Sequence, residues 1–290
     1  MPERIVHANG VELCVETFGA PGDPAILLLA GMSSSMLVWE DEFCARLAAD
    51  RRYVIRFDYR DTGRSVGYPP GAPGYGGLDL AADALALLDE LGVFKAHFVG
   101  ISMGGGLAQL VAADHPERVA SLTLISTTTS AEYGDDLPPM TEELLDYFMN
   151  APTPDWSSRE SIVDYWVELD RRLAGSHARD DAALRARVER MFERTANYES
   201  SMTNHNVMDK TSGAKRDISA ITAPTLVLHG TEDPLFPLEH GIYLAGKIPG
   251  AELVMLDKVG HELPRTAWDV AVPAILAHVS QTLTRVSTTE

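Results

Sequence analysis

Apolar residues recur along this chain in two alternating patterns. Short unbroken runs stand at Ala25 to Ala30, Tyr53 to Phe57, Ala96 to Ile101, Val119 to Ile125, Pro224 to His229 and Glu252 to Leu256. Such runs, bounded by turn residues, are the pattern of strands covered on both faces in a parallel sheet. Between them, apolar positions return every three or four residues, predicting helices at Trp39 to Ala49, at Leu78 to Leu91 and after Ser102, where Leu107, Leu110 and Val111 share a face. Upstream, Ile5 to His7 and Val11 to Thr17 flank Asn9-Gly10, a two-residue hairpin signal that predicts an antiparallel edge. Strands alternating with helices predict an α/β fold, a mostly parallel twisted sheet with helices on both faces.

That rhythm stops near Ser126 and resumes at Ala223. The chain therefore divides into a core at residues 1–126 and 216–290 and an inserted helical lid at 127–215. Within the insertion, helices are predicted at Thr141 to Asn150, Arg159 to Leu173 and Asp180 to Tyr198, with Pro152, Pro154 and Gly175 as breakers. Their mixture of charge with aromatic residues is that of amphipathic helices lying over something apolar. Most of these aromatics are expected to pack the insertion's own small core. Tyr147, Trp166 and Phe192 are the candidates to face a substrate. Beyond the sheet, Thr282 to Glu290 reads as a frayed tail.

Composition narrows the function classes. A formal charge of −18 over 290 residues, without a cluster of Lys and Arg, argues against nucleic acid or an anionic membrane as partner. No stretch approaches the ~18 apolar residues of a membrane span. Cys14 and Cys44 are far apart and lack metal-ligand spacing, so they read as buried small hydrophobes in a reducing compartment. Met1 to Ile5 has no charged leader, and a cytoplasmic location is expected.

The candidate chemistry sits where the predicted strands end. Gly100-Ile101-Ser102-Met103-Gly104 matches G-x-S-x-G, in which a strained strand-to-helix turn lifts a serine Oγ clear of the sheet. An incidental serine in a glycine-rich turn is the alternative. Two later strands end at Gly230-Thr231-Glu232-Asp233-Pro234 and Gly260-His261-Glu262, and functional groups of an open parallel sheet gather beyond such carboxyl ends. Serine is a weak nucleophile near neutral pH, so His261 is the candidate base and Asp233 the carboxylate that orients it. Glu232 is expected to point away. Backbone N–H groups of Met32 and Met103 are the candidate oxyanion donors, each worth about 3 kcal/mol in a transition state. Gly31 and Met36 join the candidate substrate contacts, the methionines implying an apolar pocket. His97 and His229 are competing bases, although a histidine on a buried strand is more often a satisfied core residue. Asp257 competes with Asp233, and Asp58 and Arg60 either touch substrate or brace a loop through ion pairs.

Arg-Asp-Thr-Gly-Arg-Ser at 60 to 65, Gly-Ile-Ser-Met-Gly at 100 to 104, His-Pro-Glu-Arg-Val at 115 to 119 and Gly-Thr-Glu-Asp-Pro at 230 to 234 resemble the aclacinomycin methylesterase-like group of the α/β-hydrolase superfamily. The order Ser102, Asp233, His261 is that of the superfamily's triad. The resemblance implies hydrolysis of a small-molecule carboxylic ester through an acyl-serine, without metal or cofactor, with an anthracycline-like methyl ester as one substrate class. Many relatives carry His-Gly where this chain has Ala30-Gly31. Lactone or amide cleavage, cofactor-free perhydrolysis, and a non-catalytic sensor on the same fold stay open as alternatives.

Overall fold

The unbroken apolar runs pair with one another into a single sheet. The computed structural model describes residues 2–129, 137–177, 180–209 and 216–287. Its strands are β1 (Arg4–Ala8), β2 (Val11–Phe18), β3 (Ala25–Leu29), β4 (Tyr53–Phe57), β5 (Ala96–Ile101), β6 (Val119–Ile125), β7 (Thr225–Gly230) and β8 (Glu252–Leu256). They lie in the order β1-β2-β4-β3-β5-β6-β7-β8. β1 and β2 form the expected antiparallel edge, turning at Asn9 and Gly10 with φ of 49° and 75°, and β2 is antiparallel to β4. Left-handed φ at both turn residues matches the right-handed twist of the flanking strands, which is why Asn-Gly serves there. From β4 to β8 every pairing is parallel.

Why the central runs carry no polar alternation is clear from β3. Ala25, Leu27 and Leu29 enter one apolar cluster, while Ile26 and Leu28 enter a second on the opposite face. The first cluster is covered by α2 (Gly77–Glu90), α3 (Met103–Asp114) and α8 (Leu238–Lys247), through Leu80, Leu87, Leu107, Val111 and Leu244. The second is covered by α1 (Asp41–Ala48) and α9 (Trp268–Ser287), through Phe43, Leu47, Trp268 and Ile275. Burying a leucine on either face contributes roughly 1.5–3 kcal/mol. Cys14 and Cys44 are buried and free, and burial pushes both thiols up to about 12, which leaves them protonated at neutral pH.

Several boundaries differ from the hydrophobic reading. The helix expected at Trp39 to Ala49 runs from Asp41 to Ala48 as α1, with a separate 3-10 turn at Met36–Val38 before it. The tail from Thr282 continues α9 to Ser287, with residues 288–290 outside those described. Between β6 and β7 stand α4 (Glu142–Asn150), α5 (Arg159–Leu173), α6 (Asp181–Arg194) and α7 (Tyr198–Val207). The expected helix Asp180 to Tyr198 thus ends four residues early, and α7 is an additional helix. Each of the four starts at a polar cap: Thr141, Ser158, Asp180 and Asn197 accept the N–H of Leu144, Ser161, Ala183 and Ser200. The insertion's second boundary, at 215, falls among residues 210–215, outside those described.

Helix α6 is tied to the loop after β4 and to Glu3, just before β1, by buried ion pairs. Arg194, at the end of α6, places Nη1 2.8 Å from Asp58 Oδ2 and its Nη2 3.1 Å from Glu3. Asp58 also accepts the N–H groups of Met36 and Arg64, while Arg60 makes a bidentate pair with Asp83 at 2.7 Å per bond. Asp58 and Arg60 are therefore loop braces. Leaving either partner of such a pair alone in the interior costs several kcal/mol, roughly 3–5 by analogy with other buried pairs.

Candidate active site

The glycines around Ser102 are dictated by crowding. Ser102 lies between β5 and α3 with φ 53° and ψ −121°, a conformation that costs a non-glycine residue about 1–3 kcal/mol. A Cβ on Gly100 would stand 2.3 Å from the Gly104 carbonyl oxygen, and one on Gly104 would stand 2.3 Å from that of Leu29. Neither obstacle is a flexible side chain, so only glycine lets α3 start this close to β3 and β5. The Ser102 N–H donates to the Ile125 carbonyl at 3.0 Å, and Thr127 Oγ1 donates to the Ser102 carbonyl at 2.7 Å. The backbone is thereby held in its strained shape while the side chain stays half-buried at the carboxyl edge of the sheet.

Three strand ends meet there. His261 Nε2 is 2.9 Å from Ser102 Oγ, and His261 Nδ1 is 2.9 Å from Asp233 Oδ2. An ionised carboxylate only accepts, so the imidazole proton sits on Nδ1 and the Nε2 lone pair faces the serine hydroxyl. Asp233 Oδ1 accepts the N–H groups of Leu235 at 2.9 Å and Phe236 at 2.8 Å. Burial alone would raise this carboxyl, but the neighbouring His261 and these hydrogen bonds win and hold it below the usual range. His261 has its own supports. Its N–H donates to the Leu173 carbonyl at the end of α5 at 2.7 Å, and the Phe236 ring meets the imidazole edge-on at 5.4 Å. Gly260 has no room for a Cβ, which would fall 2.2 Å from that same Leu173 carbonyl. Glu232 points away and accepts from the Ser176 N–H and Oγ.

The competing residues are engaged elsewhere. His97 pairs with Ser121 Oγ at 2.8 Å, and burial lowers it to about 4. His229 donates Nε2–H to the Phe236 carbonyl at 2.7 Å and is held neutral by burial. Asp257 is exposed. A histidine that takes up its proton at about 4 when folded but near 6.5 when unfolded contributes stability above the higher value and loses it as pH falls through that window. His97→Asn, which keeps an acceptor near Ser121, is expected to flatten the fall in stability between these pH values by about 1 kcal/mol per pH unit. Urea midpoints of the two proteins across that range measure it.

The remaining candidates separate into two groups. Gly31 lies beside Ser102, since a Cβ on it would be 3.6 Å from Ser102 Cβ; Met32 follows and is partly exposed, and Met103 opens α3 directly after the elbow. Met36 is buried, with its N–H on Asp58. Trp166 and Phe192 group with Val163, Val167 and Val188 in the insertion's own cluster, and Phe192 stacks on Tyr198 at 5.5 Å. Tyr147 lies under the Arg172 guanidinium at 5.4 Å. Phe236 escaped the sequence reading, although its position three residues after Asp233 is the signal that places it in the loop of the acid. α7 escaped as well, and with it the buried polar residues Ser201 and His205 that touch the loop after β3.

A strained serine elbow, a carboxylate and a histidine after the parallel strands β5, β7 and β8 narrow the comparison with known proteins. The model of the α/β-hydrolase fold family matches residues 24–264. The chain belongs to that family. Among curated α/β-hydrolase relatives, the rhodomycin D methylesterase of Streptomyces sp. strain C5 is 34% identical, covering 96% of this chain and 98% of its own. The corresponding enzyme of Streptomyces peucetius is 33% identical over the same shares. Among solved structures, a meta-cleavage product hydrolase from Pseudomonas fluorescens IP01 superposes with a TM-score of 0.74, covering 96% of this chain and 97% of that one. At 23% identity that likeness concerns the fold alone. No described helix of this hydrolase is long and apolar enough to cross a membrane.

Proposed function

We propose that this α/β-hydrolase is a serine esterase that cleaves a methyl ester on an apolar, polyketide-like acid. The observation that carries the reading is the unbroken hydrogen-bonded line from Ser102 Oγ through both nitrogens of His261 to Asp233. Ser102 Oγ attacks the ester carbonyl as its proton passes to His261 Nε2, and the imidazolium is stabilised by Asp233. The oxyanion is received by the N–H groups of Met32 and Met103. Collapse expels methanol, which takes its proton from His261, and leaves an acyl-serine. Water then attacks that ester with His261 again as base, releasing the carboxylic acid and restoring Ser102.

The methyl ester is suggested by the two rhodomycin D methylesterases, which resemble this chain over nearly its full length. Residues 127–215 act as a lid. Gly31 and the half-buried Tyr147, Trp166 and Phe192 are assigned to the apolar body of the substrate, with the aromatic rings presenting whatever faces the insertion's own packing leaves open, while Met36, wholly buried with its N–H on Asp58, is not among them. Two free, buried cysteines suit a reducing cytoplasm.

The test is a panel of polycyclic aromatic methyl esters, lactones and short-chain p-nitrophenyl esters, read by mass change and methanol release. Turnover of the methyl esters with stoichiometric methanol is expected. Lactone opening without any methyl ester cleavage would replace this substrate class. Inertness toward the whole panel, together with no labelling of Ser102 by a fluorophosphonate, would overturn the esterase reading.

A further inference from the structure

The loop after β3 carries a strained residue of its own. Residues Gly31 to Ser34 form a turn closed by the Ser34 N–H on the Gly31 carbonyl at 3.3 Å, and within it Ser33 has φ 61°. A serine in the left-handed region stays there only when its surroundings hold it. Both backbone groups of Ser33 are held by α7. The N–H donates to His205 Nδ1 at 3.0 Å, and the carbonyl accepts from Ser201 Oγ at 3.1 Å. His205 in turn donates Nε2–H to the Arg60 carbonyl at 2.9 Å, which fixes the tautomer and leaves the Nδ1 lone pair for Ser33. His205 is wholly buried and Ser201 nearly so. One residue earlier in the same turn is Met32, next to Gly31, which packs on Ser102.

We infer that His205 is a positioning residue for ester hydrolysis: from α7 it locks the Gly31–Ser34 turn so that the Met32 N–H points at the oxyanion. This rests on the esterase reading above. Without an acceptor for the Ser33 N–H, the turn relaxes out of its left-handed residue and the neighbouring Met32 N–H leaves its aim. The ground-state ester is little affected, because the hole is complementary to the tetrahedral oxyanion and not to the planar carbonyl.

Two variants separate this role from simple support of the fold. In His205→Asn the amide oxygen reaches the former Nδ1 position and accepts the Ser33 N–H but loses the Arg60 bond. In His205→Gln the amide reaches the former Nε2 position, keeps the Arg60 bond and abandons Ser33. Each variant forfeits one hydrogen bond of the imidazole. His205→Asn is expected to keep kcat within about threefold of wild type. His205→Gln is expected to lose about 100-fold in kcat at unchanged KM, the size of one oxyanion donor, and to bind a trifluoromethyl ketone analogue correspondingly more weakly. If kcat falls equally in both variants and follows their melting temperatures, His205 is structural only and the inference is overturned. It is likewise overturned if His205→Gln keeps wild-type kcat while Ser102→Ala is inactive; activity remaining in Ser102→Ala would instead sink the esterase reading itself.

Discussion

Ser102→Ala is expected to lower ester turnover by about a million-fold, to the residual rate that binding and the oxyanion donors alone support. The reason is local. Oγ is the atom that His261 Nε2 faces at 2.9 Å, and alanine leaves that lone pair nothing to deprotonate but water. Folding is expected to survive, because the contacts that hold the elbow run through the Ser102 backbone to Ile125 and Thr127. The same position carries a second expectation. Since φ is 53° there, Ser102→Gly relieves strain that Ser102→Ala retains, and it should be more stable than Ser102→Ala by about 1 kcal/mol while equally inactive. Single-turnover kinetics and urea denaturation of the two variants measure both effects. A Ser102→Ala protein with wild-type kcat would move the nucleophile elsewhere.

How far the sequence could be read depended on whether an element buries apolar or polar residues. Strands β3 to β7 were legible because a strand covered on both faces is apolar along most of its length, as β3 is at every position, whereas β8, at the sheet edge, shows the same run with one side partly exposed. The convergence of Ser102, Asp233 and His261 was legible because parallel strands all end at the same edge, so the loops after β5, β7 and β8 share one crevice. α7 was not, since it turns Ser200, Ser201, Asn204 and His205 inward and has no apolar stripe. Those side chains are satisfied by loop backbone and by Asp61: Ser200 Oγ donates to the Tyr68 carbonyl, and Asn204 Nδ2 donates to Asp61 Oδ2 while its Oδ1 accepts the Gly71 N–H. A helix that buries hydrogen bonds in place of leucines leaves no mark in hydrophobic periodicity. Its one visible signal is Asn197, three residues before the Ser200 N–H that it caps. The break before it, at Thr195 to Asn197, separates Arg194, paired with Asp58, from His205, which holds Ser33, so these two ties fall on different helices.

His261→Ala is expected to cost nearly as much as loss of the serine, about 10⁵–10⁶ in kcat, because the two groups act as one unit. Removing the imidazole leaves Ser102 Oγ–H without a base and Asp233 buried without its partner charge. Once His261 is gone, the Asp233 carboxyl keeps the Leu235 and Phe236 N–H groups, both on Oδ1, and His229 at 3.6 Å from Oδ2, but loses the largest influence that offset burial. It should therefore take up a proton at a higher pH than in the wild type, and the variant should be less stable above that pH. Asp233→Asn is expected to cost less, about 10⁴, since the serine and imidazole both remain. An amide can keep the two loop N–H groups on its oxygen only by turning its NH₂ toward His261 Nδ1, which must then give up its proton and accept. The proton moves to Nε2, where it faces Ser102 and blocks the transfer. Added imidazole is expected to restore part of the activity of His261→Ala, by entering the space between Ser102 and Asp233, and to leave Asp233→Asn unchanged. Equal rescue of both variants would mean that the carboxylate does not act by fixing the tautomer of His261.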